Sequence, residues 1–188
     1  MNAVIKGSRL QVSMGPFDFD SEKATEALLY VASRVRDSDM YTTLKVLYIA
    51  DKCHLHRYGR FIFGDTHHAL PYGPVPQGAY DIVKAVAGRS NAAAYVEALR
   101  SIRVQGNTLT ALREPNEEVF SNSDIECLEE AIHHYGSLSF EELKALTHDE
   151  AFLATRRGGE IAVDAIAALA EHPVTLIQHL NDPHPDEE

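Results

Sequence analysis

The stretch YTTLKVLYIADKCHLHRYGRFIFGDTHHALPYGPVPQGAYDIVK, Tyr41 to Lys84, decides how the rest of the chain is arranged. Its first half is apolar on nearly every side of a helix: Leu44, Leu47, Tyr48, Leu55 and Tyr58 share one stripe, and Val46, Ile49 and Cys53 fill the other side. Such a helix, about Tyr41 to Tyr58, belongs at the centre of a fold, and Gly59 is placed to stop it. Arg60 to Leu70, running through Phe61, Ile62 and Phe63, suits a short extended segment. Pro71 and Pro74 flank Tyr72-Gly73, and because each proline drives the residue before it out of the α region, the chain is held extended or turned there. Pro76 suits the first position of a helix over Gln77 to Ala87, with Tyr80, Val83, Val86 and Ala87 on its buried side and Gly88 beyond its end. The pattern predicts a helix, a crossing segment, a rigid corner and a second helix.

Working outward, Asp20 or Ser21 can cap a helix carrying Ala24, Ala27, Leu28, Val31 and Val35, which the polar run Arg36 to Asp39 ends. Residues 1–19 read as a flexible arm with Met14 as an alternative start, and no apolar run marks a secretory leader. On the other side, Asn91 to Arg100 is a short helical candidate, and SIRVQGNTLTAL after it is a hairpin. Gly106-Asn107 makes its two-residue turn, so Val104 faces Leu109 and Ile102 faces Ala111. From Ser121 onward three capping boxes, Ser123/Glu126, Ser139/Glu142 and Thr147/Glu150, predict three helices. Ile125, Leu128, Ile132 and Tyr135 line the first of these, and Leu143 with Leu146 anchor the second. After the break at Arg156-Arg157-Gly158-Gly159, a last helix pair divides at Pro173, and residues 182–188 form a disordered acidic tail. The expected fold is mainly α, in the α+β class: one compact helical domain over residues 20–181. Its small antiparallel β element is the Ile102–Leu112 hairpin, joined by the Phe61–Leu70 segment.

The 188 residues carry a net charge of −11, which repels phosphate backbones, excludes a non-specific nucleic-acid binder and favours a basic protein partner. Acids crowd Glu114 to Glu150, where Lys144 is the lone basic residue. A solvated helix surface is the plain reading, and a docking face is the alternative. No window is apolar enough to span a membrane, and two cysteines inside helical patterns suit a reducing compartment with unpaired thiols. A cytoplasmic location follows as an expectation.

Among candidate chemistry, Cys53, His54, His56, His67 and His68 are the densest cluster of metal-ligand types, yet neighbours on a helix diverge by about 100 degrees and no zinc-type spacing occurs. Asp51 sits on the apolar stripe, where a carboxylate needs a partner. A metal- or thiol-dependent hydrolase using Cys53, His54 and Asp51 is the rival reading, although a mid-helix cysteine lacks the helix N-terminus that would favour its thiolate. Phosphate-binding and nucleophile-elbow motifs are absent. No catalytic, metal or cofactor residue is assigned, and the chain reads as a non-enzyme.

Two patches carry a family resemblance. Lys45-Val46-Leu47-Tyr48-Ile49-Ala50-Asp51, His54-Leu55, Tyr58-Gly59 and Tyr72-Gly73-Pro74-Val75 make the first; Tyr135-Gly136-Ser137, Leu143 and Thr147-His148-Asp149-Glu150 make the second. In order and spacing they resemble the Panacea domain, the antitoxin domain of SocA-like proteins. The resemblance implies a protein that binds and neutralises a partner toxin, encoded beside it, and in SocA-type members also delivers that toxin to the ClpXP protease. Members often carry Pro-Trp after the glutamate, where this chain has Ala151-Phe152, a departure that bears on local packing or partner choice. The expected partner-binding residues are Tyr72, Gly73, Pro74 and Val75 at the corner, structural first and toxin-facing second, together with His148 and Glu150. Capping alone can also account for Thr147 to Glu150.

Overall fold

The computed structural model describes residues 17–36, 38–90 and 95–181, so most of the expected arm, the start of the Asn91–Arg100 helix and the acidic tail lie outside them. Within them the chain is mainly helical with small antiparallel sheets. Helix α1 (Ser21–Arg34) starts where Asp20 Oδ1 accepts the Lys23 amide at 2.9 Å. Helix α2 (Met40–Tyr58) is capped by Asp39 and ends at Gly59, whose φ of 71° lets its amide close onto the Leu55 carbonyl. Phe17 and Phe19, counted in the arm by the sequence reading, pack against the body; the Phe17 ring meets Phe61 edge-on at 5.3 Å.

The all-round apolarity of α2 has a direct cause, because the helix separates two cores. Leu44, Val46 and Leu47 join Leu28, Val31, Ile82 and Leu128 in the larger one. Tyr48 and Leu55 join Phe61, Ile161, Ile166 and Leu176 in the other. The chain continues with α3 (Gln77–Val86), α4 (Val96–Ser101), α5 (Asn122–Tyr135), α6 (Phe140–Thr147), α7 (Glu150–Ala154), α8 (Val163–Ala167) and α9 (Pro173–Asn181), of which α3, α5, α6 and α8 pack on α2 and α4 packs on α3.

The β structure is not one element but two. Strands β1 (His67–Leu70) and β2 (Gly73–Pro76) form a hairpin with Leu70 opposite Gly73, and β5 (Glu160–Ile161) adds to the other side of β1. The Tyr72 to Val75 corner is therefore the second turn residue followed by the first three residues of β2. Its prolines hid this, and they are tolerated because β2 is an edge strand with only one side to pair. The other sheet is the expected hairpin, β3 (Ile102–Gln105) and β4 (Thr108–Ala111), in the expected register with Val104 opposite Leu109 and Ile102 opposite Ala111. It ties down the α1–α2 connection: the Met40 amide donates to Asn107 O at 2.8 Å and the Leu109 amide to Ser38 O at 3.1 Å.

Several local assignments need correction. Pro76 precedes α3 instead of opening it, and the role of cap passes to the buried Asp65, whose two carboxylate oxygens accept the Gly78 and Ala79 amides at 2.8 and 2.9 Å. Helix α5 is boxed by Ser121 and Asp124, because Ser123 is engaged by His54 and Ser121. Thr147 ends α6 with its hydroxyl on the Leu143 carbonyl, and Asp149 caps α7. Ser139 and Glu142 do form the expected box on α6. Leu143 is fully buried, but Leu146 is exposed and anchors nothing.

Candidate functional site

The two sequence patches, far apart in the chain, meet around Lys45. The α2 backbone places this lysine one turn inside the helix, facing the β1–β2 hairpin. Its side chain is fully buried, with Nζ donating to the Pro74 carbonyl at 2.5 Å. Burial pulls its pKa down to about 7, since an ammonium withdrawn from water loses hydration that one carbonyl does not replace. Gly73 lies directly over it. At φ 106°, in the region that favours glycine, its backbone passes so close that a Cβ would sit 2.6 Å from Lys45 Nζ and 3.0 Å from the His148 ring. His148, between α6 and α7, stacks on Phe152 with centroids 4.2 Å apart. The phenylalanine that stands in the family's Pro-Trp position thus supplies a flat ring for the histidine. Burial, then Lys45 and Lys144, push the His148 pKa down, and its buried Nε2 makes no hydrogen bond in good geometry, with the Tyr72 backbone beside it.

Above this floor a cleft of about 600 Å³ opens between the start of α2, the hairpin tip, the Asn107 turn and the start of α6. Tyr72 stands on its rim, 63% exposed, and Phe140 is 41% exposed. The Tyr41 hydroxyl donates to Tyr72 O at 3.1 Å, the Tyr41 and Phe140 rings lie 4.3 Å apart, and Tyr72 meets Phe140 edge-on at 5.8 Å. These contacts hold the aromatic rings in place before any partner arrives. Burial first, then the nearby Glu141 and Asp39 carboxylates, pushes the Tyr41 pKa up to about 12.

Of the residues expected to face a partner, Tyr72 is exposed at the cleft while Gly73, Pro74 and Val75 are buried beneath it. His148 supports the floor, and Glu150 is exposed in the first turn of α7, away from the residues lining the cleft. Lys45, Tyr41 and Phe140 were not singled out as site residues. Lys45 had a signal, a charge flanked by Leu44 and Val46 in an apolar helix; Tyr41 and Phe140 had none, since each stands in the first turn of its helix.

The residues of the hydrolase alternative do not assemble. Asp51 accepts the Ile62 amide at 2.8 Å and pairs with His67 at 3.2 Å, as a buried structural acid should. His54 is spent on the Arg60 carbonyl, Ser123 and Asp124, while Cys53 packs beside Cys127. Among the described residues no three His, Cys, Asp or Glu side chains come together to hold a metal, and no helix is long and apolar enough to cross a membrane. Part of the acidic run is paired with cations of α1 and α2, with Asp124 and Asp149 turned inward and the glutamates pairing at the surface. Asp124 pairs with Lys23 at 2.6 Å, Glu117 with Arg34 at 2.6 Å, Glu130 with Arg57 at 2.6 Å and Asp149 with Lys52 at 2.6 Å.

Residues 44–152 match the family model for the SocA-like antitoxin, Panacea domain. The match runs from Leu44 in α2 to Phe152 in α7, including every residue of the Lys45, Gly73 and His148 floor. The chain belongs to the SocA-like antitoxin family, Panacea domain. No curated protein and no solved structure matches it.

Proposed function

We propose that this chain neutralises a toxin, encoded beside it and resident in the same cytoplasm, by binding it directly through the cleft between the hairpin tip and α6. Family membership supports an antitoxin role. The observation that carries the choice of surface is the contrast at the corner: Gly73, Pro74 and Val75 are buried to hold the hairpin, while the adjacent Tyr72 ring is 63% exposed and braced by Tyr41 and Phe140. Rigid, partly exposed aromatic rings beside a concave surface are what binding hot spots are made of. His148 contributes by holding the floor in shape, and the exposed Glu150 supplies a peripheral contact. Delivery of the bound toxin to ClpXP is a separable second step, expected to fail in cells lacking that protease while direct neutralisation persists.

Co-expression with the product of the adjacent gene tests the reading. The intact chain rescues growth and co-purifies with that product. Tyr72→Ala weakens the complex by about 1–3 kcal/mol, tenfold or more, with an unchanged melting temperature because the ring is mostly in water. Normal binding by Tyr72→Ala removes this surface from the interface, and absence of rescue by the intact chain removes the antitoxin reading.

A further inference from the structure

The cleft carries a chemical preference that family membership does not supply. Its two most exposed rings, Tyr72 and Phe140, are fixed edge to face with centroids 5.8 Å apart. Carboxylates flank them. Asp39 lines the cleft at the start of α2, and Glu141, with its side chain 78% exposed, follows Phe140 on α6. Three cations also approach, and one of them, Arg89, is turned to the edge, donating to the Gly106 carbonyl at 3.2 Å and lying 3.9 Å from Met40 Sδ. Lys45 Nζ lies 5.4 Å from the Tyr41 centroid, but it is under the floor and bound to the Pro74 carbonyl. Lys144 Nζ stands 5.9 Å from the Phe140 centroid and 3.8 Å from Glu141, on the same helix. Burial first, and then the Glu141 and Asp39 carboxylates, raise the Tyr41 pKa, and the chain as a whole stands at −11.

We infer that this cleft receives an arginine side chain presented by the partner protein, its guanidinium stacked on the Tyr72 ring with its edge against Phe140 and donating to Asp39 and Glu141. The inference rests on the antitoxin reading only for the identity of the protein that bears the arginine. A guanidinium can lie flat on a ring and donate in its own plane to a carboxylate, which a rounder, more strongly hydrated ammonium does less well. An apolar side chain would fill the same space but strip water from the Asp39 carboxylate without pairing it.

The test uses the full chain, uniformly labelled with nitrogen-15, titrated with acetyl-Gly-Arg-Gly-amide and followed by amide chemical shifts. Shifts are expected in residues 39–45, 70–75 and 140–144. The citrulline peptide, equal in shape but uncharged, is expected to bind about fivefold more weakly. Phe140→Leu and Tyr72→Leu, which keep bulk but remove the ring face, each lose about threefold while the chain stays folded. Lys144→Gln, which removes the competing cation, gains about twofold. Equal binding of the citrulline or leucine peptide, or shifts centred elsewhere, overturns the inference. The two readings fail separately. Unchanged arginine-peptide affinity in both Phe140→Leu and Tyr72→Leu, with growth still rescued by the intact chain, ends the arginine site and spares the antitoxin. A chain that binds the arginine peptide in the cleft yet rescues no growth keeps the site and loses the antitoxin.

Discussion

The two hairpins of this protein have the same number of turn residues and opposite origins. In β3–β4, alternating residues, a Gly-Asn turn and paired inward side chains agree, and the strands form where that local pattern puts them. In β1–β2, local pattern is nearly silent. All four residues of β2 are buried, two of them are prolines, and the pairing is held from outside by β5 on one side of β1 and by Lys45 under the turn. The first hairpin is a brace for the α1–α2 connection, whereas the second displays Tyr72. A hairpin that local rules specify can be left to stabilise, while one imposed by tertiary contacts can hold a bulky ring out in water without that ring being needed for its own folding.

Four measurements press on this difference, beginning with the largest effect. Gly73→Val is expected to cost about 4 kcal/mol or more in urea unfolding, because a branched side chain must adopt φ 106° and displace Lys45 and His148 in a buried space. A loss below about 1 kcal/mol would mean that the corner is not held from beneath. Next, Leu109→Ala in the other hairpin empties a position that is 2% exposed and should cost about 3 kcal/mol. Its folded fraction should still bind the partner with wild-type affinity. Impaired binding per folded molecule would make the brace part of the interface after all.

Lys45 supplies the third. Its pKa is lowered to about 7 in the folded chain and returns to the usual lysine range on unfolding, so between those values the unfolded state holds the extra proton. Stability should therefore rise with pH above 7, and be flat in this respect below it. Against Lys45→Met, the wild type should gain about 2 kcal/mol between pH 7 and 9. Parallel curves for the two proteins would show that the lysine is better hydrated than its burial suggests. The smallest effect belongs to Gly106→Ala. This turn glycine also has a positive φ, 62°, but a Cβ there meets nothing within 4 Å. The cost should be about 1 kcal/mol from backbone strain alone. The gap between Gly73 and Gly106 measures what tertiary crowding adds to the same kind of backbone.

Much of the site was written in the chain, but as separate pieces. Tyr72, Gly73 and His148 stand in the two patches that resemble the family, and nothing in their spacing says that Gly73 and His148 touch the same lysine amine. Lys45 was visible as an oddity in an apolar helix, like Asp51 one and a half turns later. Only Asp51 prompted the question of a partner, and the structure supplies Ile62 and His67 as its answer. The cap positions show the limit from the other direction. Ser123 and Thr147 are good caps by type, yet His54 engages the first and the last turn of α6 claims the second, so Ser121 and Asp149 cap instead.

By itself the sequence determined the properties that depend on neighbours in the chain. These are the central helix with its apolar surround and αL stop at Gly59, the β3–β4 register, the caps at Asp20 and Ser139, and the negative charge. The tertiary structure alone decided the β2-β1-β5 sheet, the pairing of acids from the Glu114–Glu150 run with cations of α1 and α2, and the meeting of Gly73 and His148 over a buried lysine beneath an aromatic cleft. The physical reason is range. Periodicity, capping and turn geometry act within a few residues, whereas edge pairing, burial of charge and exposure of Tyr72 depend on which distant segments exclude water from the same place.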